Sequence, residues 1–125
     1  MGKEKRPNIV KEKSFGFAVK IVNLNKQLVR QNKEYVISKQ LLKSGTSIGA
    51  NVEEADGGIS KADFSNKISI AYKEAKESHY WLRLLHQTNF IEREQFEELI
   101  HDCDELCKLL FSILKTARIK KQNEY

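Results

Sequence analysis

The sequence predicts an all-α protein, an antiparallel up-down-up-down four-helix bundle. The chain has 125 residues, of which 40% are apolar, and this suffices for one compact core. The only proline, Pro7, lies near the N-terminus, so no proline interrupts a long helix further along. Four stretches repeat apolar residues at spacings of three and four, which is typical of amphipathic helices. The connections between them are short, so consecutive helices must pack as antiparallel neighbours.

The first two helices are predicted from their apolar stripes. The first runs from Ser14 to about Asn32, and the second runs from about Tyr35 to Ala55. The letters DGG that follow are a plausible stop for the second helix. The stripe of the first helix is Phe17, Ile21, Leu24 and Leu28, and that of the second is Leu41, Gly45, Ile48, Val52 and Ala55.

The third and fourth helices are longer. Ser60 followed by Asp63 resembles a capping box, which starts a third helix that ends near Thr88. A short turn leads to the fourth helix, whose acidic start and basic end complement the helix dipole. The third stripe is Phe64, Ile68, Ala71, Ala75, Ser78, Leu82 and Leu85, and the fourth is Phe96, Leu99, Cys103, Leu106, Leu110, Ile113 and Ala117.

The positive charge is concentrated at the two ends of the chain. Residues 1–13 carry five Lys/Arg against two Glu, and residues 115–125 carry four against one, within a net charge of +5. We therefore predict a basic N-terminal tail (1–13), a bundle (14–119) and a basic C-terminal tail (120–125). Basic tails attract phosphate backbones through counterion release, although solvated ends that only aid solubility are the alternative. The candidate nucleic-acid contacts are Lys3, Lys5, Arg6, Lys11, Lys13, Lys115, Arg118, Lys120 and Lys121.

The composition also bears on where the protein works. The only cysteines, Cys103 and Cys107, stand four apart in a helical pattern, where they do not staple distant segments. No stretch approaches the roughly 20 apolar residues that span a bilayer, and no signal peptide is visible. We expect a soluble, cytoplasmic protein with no membrane association.

A second stripe on the second helix is polar and narrow. Gln40, Ser44, Ser47, Asn51 and Glu54 lie about 100° from the apolar stripe on a helical wheel. Gly45 and Gly49 remove side-chain bulk beside it and allow another backbone to come close. We interpret this edge as packed against protein. The alternatives are a frayed helix end and a solvent-facing Asn51 and Glu54.

The segments QLLKSGTSIGANVEEA (40–55) and FSNKISIAYKEAKESHYWLRLL (64–85) carry a family resemblance. They resemble the bacterial four-helix-bundle family that includes proteins encoded in intervening sequences of 23S ribosomal RNA genes. Many members have a serine where this chain has Glu74, so contacts of the third helix are expected to differ. The most specific matches are Gln40, Ser47, Ile48, Asn51 and Glu54 in one pattern, and Ala71 and Glu77 in another.

The resemblance implies a homo-oligomer, a ring of five bundles, with no established enzymatic activity. A related group is the accessory variability determinant of diversity-generating retroelements, a basic bundle that works with nucleic acid and a reverse transcriptase. An oligomer also gives the second stripe a partner, because one bundle needs one buried stripe per helix. The predicted interface residues are Gln40, Ser44, Gly45, Ser47, Gly49, Asn51, Glu54 and Glu77.

The residues that could serve catalysis or metal binding do not converge on one face of the predicted helices. The only Glu-x-x-His, Glu98 to His101, points away from the core and does not form a di-iron site. The two cysteines occupy apolar-stripe positions, so a core role is favoured over zinc. His79 and His86 have no evident acid, thiol or serine partner and are expected at the surface. We predict no catalytic residue, cofactor or metal.

The functional hypothesis is therefore a non-enzymatic homo-oligomer that binds RNA or DNA or serves as a scaffold. The alternative is a protein-protein interaction module with no nucleic-acid role. Deletion of residues 1–13 and 115–125 separates the two, because docking of a partner protein should survive this truncation whereas electrostatic nucleic-acid binding should fall steeply.

Overall fold

Four α-helices form the chain, joined by three short connections. The computed structural model describes the backbone of residues 2–123 and the side chains of residues 9–117. The helices are α1 (Gly2–Asn32), α2 (Ile37–Asp56), α3 (Lys61–Gln87) and α4 (Arg93–Asn123). The described backbone contains no strand, which confirms the all-α prediction.

The helices pack in chain order around the bundle. α2 lies between α1 and α3, and α4 lies between α3 and α1. A small cleft is lined by Val10 of α1, Val52 of α2, Phe64 of α3 and Ile113 of α4. The starts of α1 and α3 therefore meet the ends of α2 and α4, as an antiparallel up-down-up-down bundle requires.

The core consists of the predicted stripes. Each helix contributes one line of buried side chains at spacings of three and four, so the burial follows the periodicity read from the sequence. The partly exposed exceptions are Phe64, Phe96 and Ala117, near the helix ends. The main buried residues are Phe17, Ile21, Leu24 and Leu28; Leu41, Ile48 and Val52; Ile68, Ala71, Ala75, Leu82 and Leu85; and Leu99, Cys103, Leu106 and Leu110.

The outer helices extend into the segments predicted as tails. α1 begins at Gly2 and α4 continues to Asn123, so neither basic segment is separate from the bundle helices. Val10 is buried seven residues before Phe17 and continues the stripe of α1. Ser14 is buried between them, and its hydroxyl donates to the Lys11 carbonyl oxygen at 3.2 Å. The expected helix start at Ser14 was therefore too late, because this serine occupies a core position.

A carboxylate from the preceding connection caps the start of α2. Glu34 accepts hydrogen bonds from the backbone amides of Val36 at 3.1 Å and Ser38 at 2.7 Å. Burial opposes ionisation of this carboxylate, but the backbone amides of Ser38, Ile37 and Val36 outweigh burial and lower the Glu34 pKa. Glu34 thus satisfies amides that the first turn leaves free.

Both ends of α3 have identifiable caps. The Ser60 hydroxyl accepts a hydrogen bond from the Asp63 amide at 3.0 Å, which confirms the predicted cap. At the other end, Asn89 adopts a positive φ of 66°, and the amides of Asn89 and Phe90 donate to the His86 and Leu85 carbonyls. This is a Schellman arrangement, which stops the helix before α4. None of the described helices has an apolar run long enough to cross a bilayer.

Candidate functional site

The glycine flank of α2 packs against α1. A Cβ added at Gly45 would lie 2.9 Å from both γ carbons of Ile21, and one added at Gly49 would lie 3.4 Å from the Ser14 backbone. Both glycines are buried. They let the α1 and α2 backbones approach closely, as the small residues predicted, and the approaching backbone belongs to the same chain.

The serine flank of α2 packs against α3. The Ser78 hydroxyl lies 2.9 Å from the Ser44 hydroxyl, and both side chains are fully buried. One turn further along α2, the Ser47 hydroxyl donates to a Glu74 carboxylate oxygen at 2.8 Å. These short polar contacts fix the register of α2 on α3, because a hydrogen bond weakens steeply with displacement.

The remaining predicted interface residues lie at the outer rim of this contact. Asn51 donates to the Ser47 carbonyl oxygen at 2.8 Å, and Lys67 pairs with Glu54 at 2.9 Å. The hydrogen bond and charge of Glu54 raise the pKa of Lys67. We call the whole set the polar seam, which consists of Gln40, Ser44, Ser47, Asn51 and Glu54 of α2 with Lys67, Glu74, Glu77, Ser78 and Trp81 of α3.

The polar seam differs from the expectation in one respect. The sequence predicts that the second stripe of α2 needs another chain as its partner, but α3 of the same chain covers the inner part of this stripe. The physical reason is that a helix in a four-membered bundle touches two neighbours, and α2 uses one flank for each. Gln40 and Glu54 are exposed, and Ser47 and Asn51 are half-buried.

The outer rim of the polar seam carries an excess of negative charge. Glu77 is exposed and accepts a hydrogen bond from the Trp81 indole at 3.2 Å. Glu74 and Glu77 form no ion pair with a described cation, whereas Glu54 is paired with Lys67. The rim therefore offers two unneutralised carboxylates beside a partly exposed indole ring.

The predicted nucleic-acid contacts are only partly free. Lys11 pairs with Asp56 at 3.0 Å and Lys13 with Glu105 at 3.0 Å. The hydrogen bond from Asp56, and then its charge, raise the pKa of Lys11. Lys115 is exposed. The side chains of Lys3, Lys5, Arg6, Arg118, Lys120 and Lys121 lie outside those that the structure describes.

His79 has an acid partner that the sequence did not indicate. Its Nε2 lies 2.9 Å from Asp104 of α4, and its Nδ1 accepts from the Arg83 Nε at 3.1 Å. His86 stacks on Phe96 with ring centroids 4.2 Å apart. Both histidines are half-buried and contact residues of α4, Asp104 and Phe96 respectively, whereas the sequence predicts only that they lie at the surface.

The remaining chemical candidates take structural positions. Glu98 and His101 are both exposed, as their helical angles predicted, and Glu98 pairs with Lys20 at 3.0 Å. The Cys103 thiol is buried and donates to the Ala75 carbonyl oxygen at 3.2 Å. Hydrogen bonding with the Cys107 sulfur and burial raise the Cys103 pKa. Among the described residues, no group of three or more His, Cys, Asp or Glu is placed to hold a metal ion.

Comparison with protein families identifies the relatives of this chain. Residues 6–112 match the model of the family described as 23S rRNA-intervening sequence protein. The chain belongs to this family. A solved structure from Bacteroides thetaiotaomicron, described as a protein with unknown function from the S23 ribosomal protein family, is 57% identical with a TM-score of 0.86. The similarity covers 88% of this chain and 98% of that one. Comparison with curated proteins finds no match.

Five of the seven positions that carry the resemblance to the 23S rRNA-intervening sequence family lie along the polar seam, whereas Ile48 and Ala71 lie in the core. The structure adds Lys67, Glu74 and Ser78 as their partners. A signal for Ser78 was present, because a serine on an otherwise apolar stripe needs a buried hydrogen-bond partner. Glu74 was singled out only as a departure from the family pattern, and its contact with Ser47 could not be derived without the helix order.

Proposed function

We propose that this member of the 23S rRNA-intervening sequence family is a non-enzymatic, cytoplasmic homo-oligomer that binds RNA or DNA through the basic end of its bundle. One observation supports this most directly. In the antiparallel bundle, the start of α1 and the end of α4 lie at the same end. Two basic segments that are far apart in sequence thus converge, and such convergence concentrates the field that attracts phosphates.

These two segments carry a substantial positive charge. Residues 1–13 and 115–125 together carry nine Lys/Arg and three Glu, a sum of +6. Lys11 and Lys13 are engaged with acids, which leaves seven of the nine as candidate phosphate contacts. If all seven contact phosphates, the slope of log affinity against log salt is about −5 for a single strand. An oligomer multiplies these contacts by presenting several basic ends.

Other features support the remaining parts of the proposal. Phe15 and Val19 of α1 expose apolar surface that a second copy can cover. The two free thiols, Cys103 and Cys107, suit the reducing cytoplasm. The absence of an enzymatic role rests on the family resemblance, and the contacts of His79 agree with a structural role for that residue.

The test is a titration of the full chain into fluorescently labelled RNA and DNA at low and moderate salt. We expect salt-sensitive binding. A quadruple variant with Lys115, Arg118, Lys120 and Lys121 each changed to Gln should bind with an affinity about tenfold or more below that of the wild type. The matched control changes four exposed lysines of α2 and α3 to Gln, namely Lys39, Lys43, Lys73 and Lys76. It should bind almost as well as the wild type.

Two outcomes contradict the nucleic-acid part. In the first, the wild type fails to bind nucleic acid at low salt. In the second, both quadruple variants lose affinity equally, which means that the basic end makes no particular contribution to binding. The first outcome leaves the protein-interaction module as the surviving hypothesis. Light scattering of the purified protein tests oligomerisation separately, and a wild-type mass of 14.5 kDa, that of one chain, contradicts it.

A further inference from the structure

α1 carries a second stripe on the side opposite its core stripe. Successive members of this stripe are four, three, four and three residues apart, which is the spacing by which helices of a coiled coil contact a partner helix. Phe15 is 67% exposed and Val19 is 46% exposed, whereas Val22 and Val29 are half-buried. This α1 stripe consists of Phe15, Val19, Val22, Lys26 and Val29.

α3 carries a stripe of the same spacing and length along the outer rim of the polar seam. Ile70, Trp81 and Leu84 are half-buried, and Glu77 is exposed. Each stripe spans fourteen residue steps, from 15 to 29 and from 70 to 84, or about 21 Å of helix. This α3 stripe consists of Ile70, Glu74, Glu77, Trp81 and Leu84.

The two stripes complement each other in charge as well as in length. Both are apolar at their ends. The α1 stripe contains the exposed Lys26, beside the exposed Arg30, and neither forms an ion pair with a described residue. The α3 stripe contains Glu74 and Glu77 as its unneutralised carboxylates. An α1 stripe facing an α3 stripe thus brings opposite charges together inside an apolar frame.

The two stripes cannot meet within one chain, because α1 and α3 occupy diagonal positions of the bundle and both stripes lie on its outside. Gly16 adds an independent observation. It is exposed inside α1, and a Cβ there would have no atom within 4 Å. An exposed glycine costs a helix roughly 0.5–1 kcal/mol relative to alanine, and the single chain provides no contact that offsets this cost.

We infer that the partner of the α1 stripe is a second copy of this chain, contacted through its α3 stripe. The inference rests on the proposed homo-oligomer and names its contact surfaces. Because the two surfaces differ, the contact is heterologous and repeats from one copy to the next, which closes a ring where the rotation permits. Pairing two α1 stripes side by side in parallel would instead oppose Lys26 with Lys26.

Two double variants and their mixture test this contact. Phe15→Glu with Val19→Glu disrupts the α1 stripe, and Ile70→Glu with Leu84→Glu disrupts the α3 stripe; the two disrupted stripes carry like charges and do not attract each other. We expect each variant to have the mass of one chain, 14.5 kDa, by light scattering with an unchanged helical circular dichroism signal. An equimolar mixture should form a species of twice that mass, because each variant supplies one intact stripe. The matched control, Ile59→Glu with Phe111→Glu, changes exposed apolar residues outside both stripes and should keep the wild-type mass.

A charge exchange tests the same contact with two exposed residues that do not affect folding of the core. Lys26→Glu should weaken association by about fivefold or more, because like charges then face each other, and adding Glu77→Lys to the same chain should restore it.

The outcomes separate this inference from the proposed function. A wild type with the mass of one chain overturns both the homo-oligomer and this contact. An oligomeric wild type whose mass neither double variant changes overturns only the contact. Monomeric double variants that do not associate when mixed also overturn it, since they indicate a contact of like surfaces. Failure of the charge exchange to restore association contradicts the pairing of Lys26 with the α3 carboxylates.

Discussion

The closeness of α1 and α2 predicts that alanine is harmful at Gly45. Its Cβ would lie 2.9 Å from the Cγ1 and Cγ2 of Ile21, at least about 0.6 Å inside the 3.5–4.0 Å optimum for carbon pairs. Ile21 is buried and β-branched, so its γ carbons have little freedom to move. Overpacking of this kind costs about 1–3 kcal/mol. Alanine regains about 0.8–1.0 kcal/mol of helix propensity, and the net expectation is a destabilisation of about 0–2 kcal/mol.

Two other helical glycines provide matched controls. Gly16→Ala introduces the same methyl group where no atom of the same chain lies within 4 Å. In the Phe15→Glu, Val19→Glu background, where no second copy covers Gly16, we expect stabilisation by about 0.5–1 kcal/mol, and all three glycine changes are compared in that background. Gly49→Ala places its Cβ in ordinary contact with the Ser14 backbone at 3.4 Å. Its effect on the free energy of unfolding should lie between the effects of the other two changes. Helix propensity is common to all three changes. The difference between Gly16→Ala and Gly45→Ala therefore isolates the Ile21 contact, at about 1–3 kcal/mol.

Urea denaturation followed by circular dichroism measures these free energies of unfolding, with the slope checked for constancy. Because association adds to apparent stability, all variants are compared at one protein concentration. Ile21→Ala removes both γ carbons, so Gly45→Ala should cost less in that background, with a coupling of about 0.5–3 kcal/mol. A Gly45→Ala protein as stable as Gly16→Ala refutes the argument from close packing.

Two further predictions concern single polar contacts. Ser78→Ala or Ser44→Ala alone should cost about 1 kcal/mol of unfolding free energy, whereas the double change should cost less than the sum, because either single change already removes the contact between the two hydroxyls; the remaining hydroxyl keeps its bond to the Leu41 or Glu74 carbonyl oxygen. Additive losses contradict the pairing. Glu34→Gln should cost about 0.5–2 kcal/mol at neutral pH, while the exposed control Glu97→Gln should cost little. The pKa of Glu34 is lowered in the folded state, so the stabilisation by its carboxylate is present above the ordinary pKa of 4.5 and is lost as the pH falls through the folded pKa. A difference in unfolding free energy between the wild type and Glu34→Gln that does not change with pH would exclude this cap.

Much of the fold could be predicted because helical periodicity is a local property. The apolar stripes identified nearly every core position, and Ser60 identified the start of α3, since a cap depends on residues within one turn. The start of α1 could not be predicted in the same way. The serine at position 14 interrupts its stripe, and only the packing of Val10 against other helices shows that the stripe continues.

The candidate site was predicted as a set of residues but not as a set of contacts. The sequence predicts that the small residues of α2 pack against protein, and the structure places them against neighbouring helices of the same chain instead of a second chain. These residues are Ser44, Gly45, Ser47 and Gly49. The order of helices around the bundle assigns the glycine flank to α1 and the serine flank to α3. The contact between His79 and Asp104 likewise joins α3 to α4 and has no spacing signal in the sequence.

The sequence by itself determined which face of each helix is buried, because burial of apolar surface is non-directional and needs only the right periodicity. Only the tertiary structure decided which side chains meet on those faces. Hydrogen bonds and close backbone contacts depend on distances of a few tenths of an ångström between residues remote in the chain, such as Ser44 with Ser78 and Gly45 with Ile21. That precision comes from the packing of whole helices, which no single stretch of sequence encodes.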